Sequence, residues 1–144
     1  MPRVQIKALP RYDFSFTIEV RTTDLNYGGH LGNDRLLTLV HEARVAFLKS
    51  KGWSELECAG TSLIMGDVAI IFKGEAFAGD LLVFKLAAGD PSHCGFRIFH
   101  SVTRKKDGAK IALVETGMTC FDYQNRKIAP LPEAIAQICT FSDG

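Results

Sequence analysis

The chain has 144 residues and 47% of them are hydrophobic, which predicts a single domain over 1–144 with a substantial core. Seventeen basic and sixteen acidic residues leave a net charge of +1, which excludes the broad positive surface that nucleic-acid binding requires. No apolar run approaches the ~20 residues needed to cross a bilayer, and the four cysteines are widely spaced. We therefore expect a cytoplasmic protein with reduced thiols and with neither nucleic acid nor a membrane as a partner.

The periodicity of apolar residues predicts the elements in chain order. A strand is predicted over Asp13 to Arg21, where apolar and polar residues alternate. A helix from Asn33 to about Ser50 follows, because apolar residues recur there at intervals of three and four. A short helix is predicted from about Pro132 to Cys139. Between the helices, glycine-containing turns separate four further strands: Leu63 to Phe72, Leu81 to Ala88, Phe96 to Thr103 and Ile111 to Phe121. This order predicts an α+β domain with an antiparallel five-stranded sheet wrapped around one long helix.

The segment between the first strand and the long helix is the most informative part of the chain. Residues 24–33 read Asp-Leu-Asn-Tyr-Gly-Gly-His-Leu-Gly-Asn. Glycines allow tight turns here, and the hydrogen-bonding side chains lead directly into a helix N-terminus, whose free amides stabilise negative charge. The pattern predicts an active-site loop, with these candidate residues: Asp24, Asn26, Gly29, His30 and Asn33.

The order of elements and the run Asp-x-Asn-x-x-Gly-His-x-x-Asn resemble the hotdog-fold thioesterases, in particular the 4-hydroxybenzoyl-CoA thioesterase-like branch. Glu42-Ala43-Arg44 and the segment from Phe72 to Asp80 extend the resemblance over nearly the whole chain. It implies the hotdog fold and the hydrolysis of acyl-CoA or acyl-carrier-protein thioesters, without a metal or bound cofactor. It also implies a homodimer, or a dimer of dimers, with sites where one subunit's helix faces the other subunit's strands.

The loop departs from the family pattern at one position. The carboxylate that attacks or activates water in the family usually stands two residues after the first aspartate, where this chain has Asn26. An amide can orient water or a carbonyl, but it cannot act as a base at neutral pH. A general base must therefore come from elsewhere.

Two acids are candidates for that base. Asp67 lies in a stretch that is apolar on both faces and that we predict to be a central strand. There it would face the partner's Asn26 with a raised pKa; the alternative is a structural ion pair or a bulge near Gly66. Glu42 borders the apolar stripe of the helix, and its alternative is a solvated charge. We rank Asp67 slightly above Glu42.

Most of the remaining candidate residues have two possible roles, one structural and one in catalysis or substrate binding. By analogy with the family, the amide near Asn33 would polarise the thioester carbonyl while Asn26 holds the water or the carbonyl. Asp24 would brace the turn or assist catalysis, and His30 would pin the loop or touch the substrate. Arg44 falls inside the apolar arc of the helix, so it needs Asp24 or Asp67 as a partner unless it binds the substrate.

Other sequence signals are weaker. Arg104, Lys105 and Lys106 cluster at a turn, where they could bind coenzyme A phosphates or simply be solvated. The histidines show no metal-ligand spacing. The sequence has neither a Gly-x-Ser-x-Gly elbow nor a phosphate-binding loop, which disfavours serine hydrolases and the usual nucleotide hydrolases.

The leading hypothesis is an acyl-CoA thioesterase. The second is a non-catalytic hotdog protein that binds an acyl thioester, because Asn26 replaces the usual aspartate. The third is a dehydratase of the same fold, which would need a histidine and a carboxylate at one tunnel. The sequence leaves open the acyl group, the choice between coenzyme A and a carrier protein, and the choice between dimer and tetramer.

Overall fold

A computed structural model describes residues 3–141. It contains one long helix, α1 (Asn33–Ser50), and one short helix, α2 (Glu133–Ile138). Seven strands form a single sheet: β1 (Phe14–Glu19), β2 (Ser62–Phe72), β3 (Leu81–Gly89), β4 (Gly95–Arg104), β5 (Lys110–Asp122), β6 (Lys127–Ile128) and β7 (Cys139–Phe141). A 3-10 turn over Thr22–Asp24 joins β1 to the loop before α1.

The five long strands follow the order β1-β3-β4-β5-β2, and every neighbouring pair is antiparallel. The predicted α+β architecture and the long helix are confirmed, and the ends of the five strands agree with the prediction to within two residues. The number of strands is seven rather than five, because β6 pairs with β5 and β7 pairs with β3. Strands of two or three residues are too short to show alternation in the sequence.

The core lies between α1 and one face of the sheet. The buried stripe of the helix repeats at three and four residues, as predicted, and consists of Leu36, Leu39, Val40, Ala43, Phe47 and Leu48. Leu82, Phe84 and Leu86 of β3 pack in the same cluster. Each such side chain contributes roughly 1.5–3 kcal/mol when fully buried. This packing fixes where the N-terminus of α1 lies against the sheet.

Strand β2 occupies an edge of the sheet, so the prediction of a central strand is wrong for the single chain. Within residues 3–141, only β5 pairs with it. Its apolar residues on both faces are partly exposed: Ile64, Met65, Val68 and Phe72. A long edge strand with exposed apolar side chains is a surface that proteins normally cover. The apolar pattern of β2 therefore reflects an uncovered edge and not burial within one chain.

His100 of β4 is buried in the core, and neither ring nitrogen has a hydrogen-bond partner among the described residues. Burial lowers the pKa of His100 to about 3, and the nearby charge of Arg44 acts in the same direction. The ring is therefore neutral in the folded protein at neutral pH. Protonation is easier in the unfolded chain, so acid favours unfolding through this residue.

We predict that the His100→Leu variant loses part of the acid sensitivity of the native protein. Between pH 6.5 and about 3, the unfolded state takes up a proton at this histidine that the folded state refuses. That difference lowers the free energy of unfolding by up to about 1.4 kcal/mol per pH unit. Urea unfolding at several pH values measures the slope, with the exposed His93→Gln variant as the matched control. Equal slopes in native protein and His100→Leu would contradict the prediction.

Candidate functional site

The loop before α1 is closed by its own hydrogen bonds. Leu25 and Leu31 form an isolated antiparallel bridge, and the Asn26 amide donates to the His30 carbonyl at 2.9 Å. The side-chain oxygen Oδ1 of Asn26 accepts from the Gly28 amide at 2.9 Å. Gly29 donates to the Asn26 carbonyl and has a φ of 80°, a conformation that favours glycine. Asn26 therefore braces the loop with both its side chain and its backbone.

Asp24 is buried at the base of this loop. Its carboxylate accepts hydrogen bonds from the Arg21 amide at 2.9 Å and from the Arg21 guanidinium at 3.0 and 3.1 Å. These hydrogen bonds lower the pKa of Asp24. The Asp24 carbonyl accepts from the Gly32 amide at 3.1 Å, so this residue links the 3-10 turn to the start of the helix.

The N-terminus of α1 leaves backbone donors available. Gly32 is the N-cap, with extended backbone at φ −73° and ψ 152°, and no side chain caps the helix. The first helical hydrogen bond runs from Leu36 to the Gly32 carbonyl, so the amides of residues 33–35 precede it. A Cβ atom at Gly32 would lie 2.9 Å from Oδ1 of Asp34, so a larger residue does not fit without movement. Uncapped amides at this position are suited to an oxyanion.

A cavity of about 190 Å³ lies beside Asn33, the first residue of the helix. His30, Leu31, Asn33 and Leu36 line one side, and the other side consists of Phe72, Gly74, Glu75, Ala76 and Ile111. The Leu31 amide donates to the Ala76 carbonyl at 2.8 Å and holds the two sides together. The structure thus brings His30 and Asn33 to one cavity, with Asn26 in the adjoining loop.

Glu75 is the acidic residue of this cavity, and it was not among the candidates predicted from the sequence. The available signal was its position in the segment from Phe72 to Asp80, which resembles a thioesterase segment. Nothing in the local pattern distinguished Glu75 from a solvated turn residue, because its place beside Asn33 depends on the packing of β2 and β5 against the helix.

Asp67 does not line this cavity. It faces Gly117 in the register of β2 and β5, on the sheet face opposite to the buried Met118. Its side chain is 60% exposed and pairs with Arg97, with Nη2 to Oδ2 at 2.6 Å and Nη1 to Oδ1 at 3.1 Å. This pairing lowers the pKa of Asp67. In the single chain Asp67 therefore matches the alternative of an ion pair, and its position opposite the Asn26 of a second copy stays a prediction.

The Asp67–Arg97 pair spans β5, the strand that lies between β2 and β4. Gly117 makes this possible, since a Cβ atom there would lie 2.0 Å from Oδ1 of Asp67 and 2.6 Å from Nη1 of Arg97. Glu115 also accepts from Arg97. The register of β2 shifts between Met65 and Asp67, which places the predicted bulge at Gly66. The three charges hold the bulged edge strand to the sheet.

Arg44 is buried in the apolar arc of α1, with 5% of its surface exposed, as predicted. The predicted partners are wrong, because Nε of Arg44 pairs with Oε1 of Glu55 at 3.0 Å rather than with Asp24 or Asp67. Glu55 also contacts Nε2 of His41 at 2.9 Å. Glu55 follows the end of the helix, and only the chain reversal at Gly52 returns it to α1.

Neither Arg44 nor Glu42 lines the cavity beside Asn33. Glu42 is exposed on the helix, where its charge acts on Arg21. Among residues 3–141, no group of three or more His, Cys, Asp and Glu side chains is arranged to hold a metal ion. No helix in the same range combines the length and the hydropathy needed to cross a membrane.

A sequence model of the thioesterase-like superfamily matches residues 20–138. The chain belongs to this superfamily. The match covers the 3-10 turn, the loop, both helices and the strands β2 to β6. A comparison with curated protein sequences gives no significant match.

Solved structures agree on the fold of this thioesterase-like protein. A 1,4-dihydroxy-2-naphthoyl-CoA thioesterase from Synechocystis is 24% identical, with a TM-score of 0.77 over 86% of this chain and 92% of that one. A probable thioesterase from Escherichia coli is 20% identical, with a TM-score of 0.76 over 87% and 95%. A gentisyl-coenzyme A thioesterase is 16% identical, with a TM-score of 0.74 over 85% and 99%. The predicted hotdog fold is confirmed, and the 4-hydroxybenzoyl-CoA branch stays a prediction.

Proposed function

We propose that this protein hydrolyses acyl-CoA thioesters in the cavity beside the N-terminus of α1. The observation that carries the proposal is the uncapped N-terminus of α1, whose first residue, Asn33, lines a cavity in a member of the thioesterase-like superfamily. Two structures of the same fold are described as thioesterases of acyl-CoA substrates, which supports coenzyme A as the carrier here.

The Asn33 amide would act on the thioester carbonyl. Water attacks the carbonyl carbon, the carbonyl oxygen becomes an oxyanion, and the amide donates a hydrogen bond to it. The C–S bond then breaks, and the coenzyme A thiolate leaves and takes up a proton. A single donor of this kind contributes about 2.7–4 kcal/mol to transition-state stabilisation in other hydrolases. Asn26 would support the reaction by holding the loop in place, since its Oδ1 is bonded to the Gly28 amide.

The proton of the attacking water needs an acceptor. Geometry favours Glu75, because it lines the same cavity as Asn33. Asp67 of a second copy and Glu42 are the alternatives, and each is less well suited. Arg97 holds the carboxylate of Asp67 on the opposite face of the sheet, and Glu42 is exposed outside the cavity.

The assembly that we propose is a homodimer formed through the edge strand β2. An edge strand pairs with a second copy of itself around a two-fold axis, which satisfies its free backbone groups and covers Ile64, Met65 and Val68. Arg44 and Met65 meet beneath this edge, so the pairing would also enclose that part of α1. A further stacking of two dimers would give a tetramer.

The Asn33→Pro variant removes the proposed oxyanion donor and little else. Proline is favoured at the first position of a helix, and the extended conformation of Gly32 is compatible with a following proline. We predict that kcat falls about 10²-fold, the usual cost of one oxyanion donor. The Asn33→Ala control keeps the amide and stays within a few fold of the native enzyme. Thiol release from a panel of short, medium, long and aromatic acyl-CoAs provides the measurement, and equal rates in the two variants would overturn the role of this amide.

The three carboxylates are distinguished by matched amide variants. We predict that Glu75→Gln lowers kcat about 10²–10³-fold and removes the acidic limb of the pH profile, because a general base contributes on this scale. Asp67→Asn and Glu42→Gln should retain most of the native kcat. Collapse of the rate in either of these variants, with the fold preserved by circular dichroism, would transfer the role of base to that residue.

The alternative function is binding without turnover. It is favoured by Asn26, whose amide is engaged in bracing the loop and offers no base. If the native protein binds a panel acyl-CoA by calorimetry yet releases no thiol from any of them, or acts only on acyl-carrier-protein thioesters, the acyl-CoA hydrolase proposal is wrong. His30 and Glu75 line the same cavity, which is the pair of groups that the dehydratase hypothesis requires. The superfamily match and the thioesterase structures of the same fold favour thioester hydrolysis, so a dehydratase is not proposed.

A further inference from the structure

The groove between α1 and the edge strand β2 holds proton-transfer groups that the reaction above does not use. Its volume is about 270 Å³, and its lining consists of Asp34, Leu37, Thr38, His41, Arg44 and Met65. We propose that His41, oriented by Glu55, donates the proton that the departing thiolate takes up in the cavity of a second copy of the chain. This inference rests on the proposed function and on the homodimer through β2.

His41 and Glu55 form a dyad that Arg44 holds in place. Nε2 of His41 lies 2.9 Å from Oε2 of Glu55, and Nε of the buried Arg44 donates to Oε1 of the same carboxylate at 3.0 Å. The side chain of His41 is 56% exposed, and its Nδ1 has no hydrogen-bond partner among residues 3–141. A carboxylate on one ring nitrogen fixes the orientation of a histidine and leaves the other nitrogen free for proton transfer. The dyad is therefore anchored on its buried side and open on its exposed side.

His41 cannot serve the cavity of its own chain. It follows Asn33 by eight residues of helix, which is about 12 Å along the axis. It is also absent from the lining of that cavity. A proton-transfer group must come within hydrogen-bond distance of the atom on which it acts. The dyad therefore reaches a thioester only in another copy.

Met65 and Phe72 place the groove and the cavity on the same face of β2. Met65 lines the groove and Phe72 lines the cavity. In the register with β5, Met65 lies opposite Met118 and Phe72 lies opposite Ala112. Both of these partners belong to the core, and directly opposed residues of antiparallel strands point to the same face. The groove and the cavity therefore lie on the helix side of the strand, towards its two ends.

Pairing of β2 with a second copy of itself brings the groove of one chain to the cavity of the other. The Leu63 amide already donates to the Glu55 carbonyl at 2.7 Å, so the open part of the edge begins after Leu63 and extends to Phe72. A two-fold axis through this stretch, perpendicular to the sheet, makes the paired strands antiparallel and keeps both helices on one face. The Met65 end of each copy then lies beside the Phe72 end of the other. The dyad of each copy stands at the cavity of its neighbour.

The dyad supplies the second of the two proton transfers in thioester hydrolysis. Glu75 accepts the proton of the attacking water, the tetrahedral intermediate collapses, and the C–S bond breaks with its electron pair on sulfur. Nδ1 of His41, in the imidazolium form, then donates its proton to the sulfur. Glu75 releases its proton to solvent and His41 takes one up, so both groups return to their starting states. Histidine suits this step because it gains and loses a proton near neutral pH.

The first test compares two leaving groups. For the acyl group that the native enzyme prefers, kcat is measured with the coenzyme A thioester and with the 4-nitrothiophenol thioester, whose thiolate departs without a proton. We expect His41→Gln to lower kcat on the coenzyme A thioester about 10²-fold, the lower end of what general acid catalysis contributes, and to leave the other substrate within a few fold. Glu55→Gln should give the same split with a smaller loss, because it keeps an acceptor for the ring without its charge.

The exposed His93→Gln variant is the matched control and should change neither rate. Equal losses on both thioesters in His41→Gln would overturn the inference, since an acid acting on sulfur matters only for the poorer leaving group. The same split in His30→Gln, with His41→Gln unchanged, would also overturn it, because His30 lines the cavity within one chain.

Mixed dimers test which copy supplies the histidine. Asn33→Pro and His41→Gln are each impaired in their own dimers, whereas a dimer with one chain of each has one site with both native residues. Purified through a different tag on each chain, this dimer should have about half of the native rate. A rate no higher than that of the separate variants would place His41 and Asn33 in one chain and overturn the inference.

A cross-link tests the placement without catalysis. In the double variant His41→Cys with Glu75→Cys, a short bismaleimide should join two chains, and the single variants should stay separate. A double variant that gives no more covalent dimer than the single variants would overturn the inference. Absence of thiol release by the native protein would refute the proposed function and the acid role together, whereas hydrolysis that is unchanged in His41→Gln would overturn the inference alone.

Discussion

The N-terminus of α1 has no side-chain cap, and the geometry of the loop and the cavity beside it centres on this fact. Gly32 stands where serine, threonine or aspartate would satisfy a backbone donor, and a Cβ atom there would require the exposed Asp34 side chain, 2.9 Å away, to move. Uncapped amides cost stability unless water or a ligand binds them. The buried stripe of the helix holds these donors in place, since the helix cannot shift without disturbing its packing against the sheet. Position and unmet hydrogen bonding together are the reasons for proposing this end of the helix as the active site.

The loop before the helix holds this N-terminus in position. Asn26 and Asp24 are engaged in backbone and ion-pair contacts that set the path of the chain into Gly32. An asparagine at position 26 keeps the hydrogen bond to Gly28 but removes the carboxylate that the hotdog thioesterases usually place there. In the reaction that we propose, two roles that the family pattern combines are therefore separated, since the loop supplies geometry and another residue accepts the proton.

The sequence predicted the parts of the fold that repeat along the chain. The 3.6-residue period of α1 and the alternation of β1 gave their positions closely, and the glycine turns gave the order of the later strands. The sequence could not show that β2 is an edge strand, because an apolar edge and a buried strand have the same pattern. The same limit applies to charges: the partners Arg97 of Asp67 and Glu55 of Arg44 depend on strand register and on a chain reversal that no local spacing reveals.

The candidate site was predicted only in part, because only some of its residues are neighbours in the sequence. Asn26, His30 and Asn33 are close in sequence, so their proximity follows from one loop and one helix start. Glu75 joins them only through the packing of strand ends, and it was missed. Asp67 was selected because its strand was expected to be buried. In the single chain β2 is an edge strand, and the side chain of Asp67 is 60% exposed.

The role of the Asn33 amide as the oxyanion donor is tested by its NMR signal in isotope-labelled protein during titration with a non-hydrolysable ketone analogue of the preferred acyl-CoA. We expect a downfield shift of the Asn33 amide proton, because a carbonyl oxygen accepts its hydrogen bond. Saturable binding of the analogue that leaves the Asn33 signal in place, with the shifts located at another part of the sheet, would contradict it.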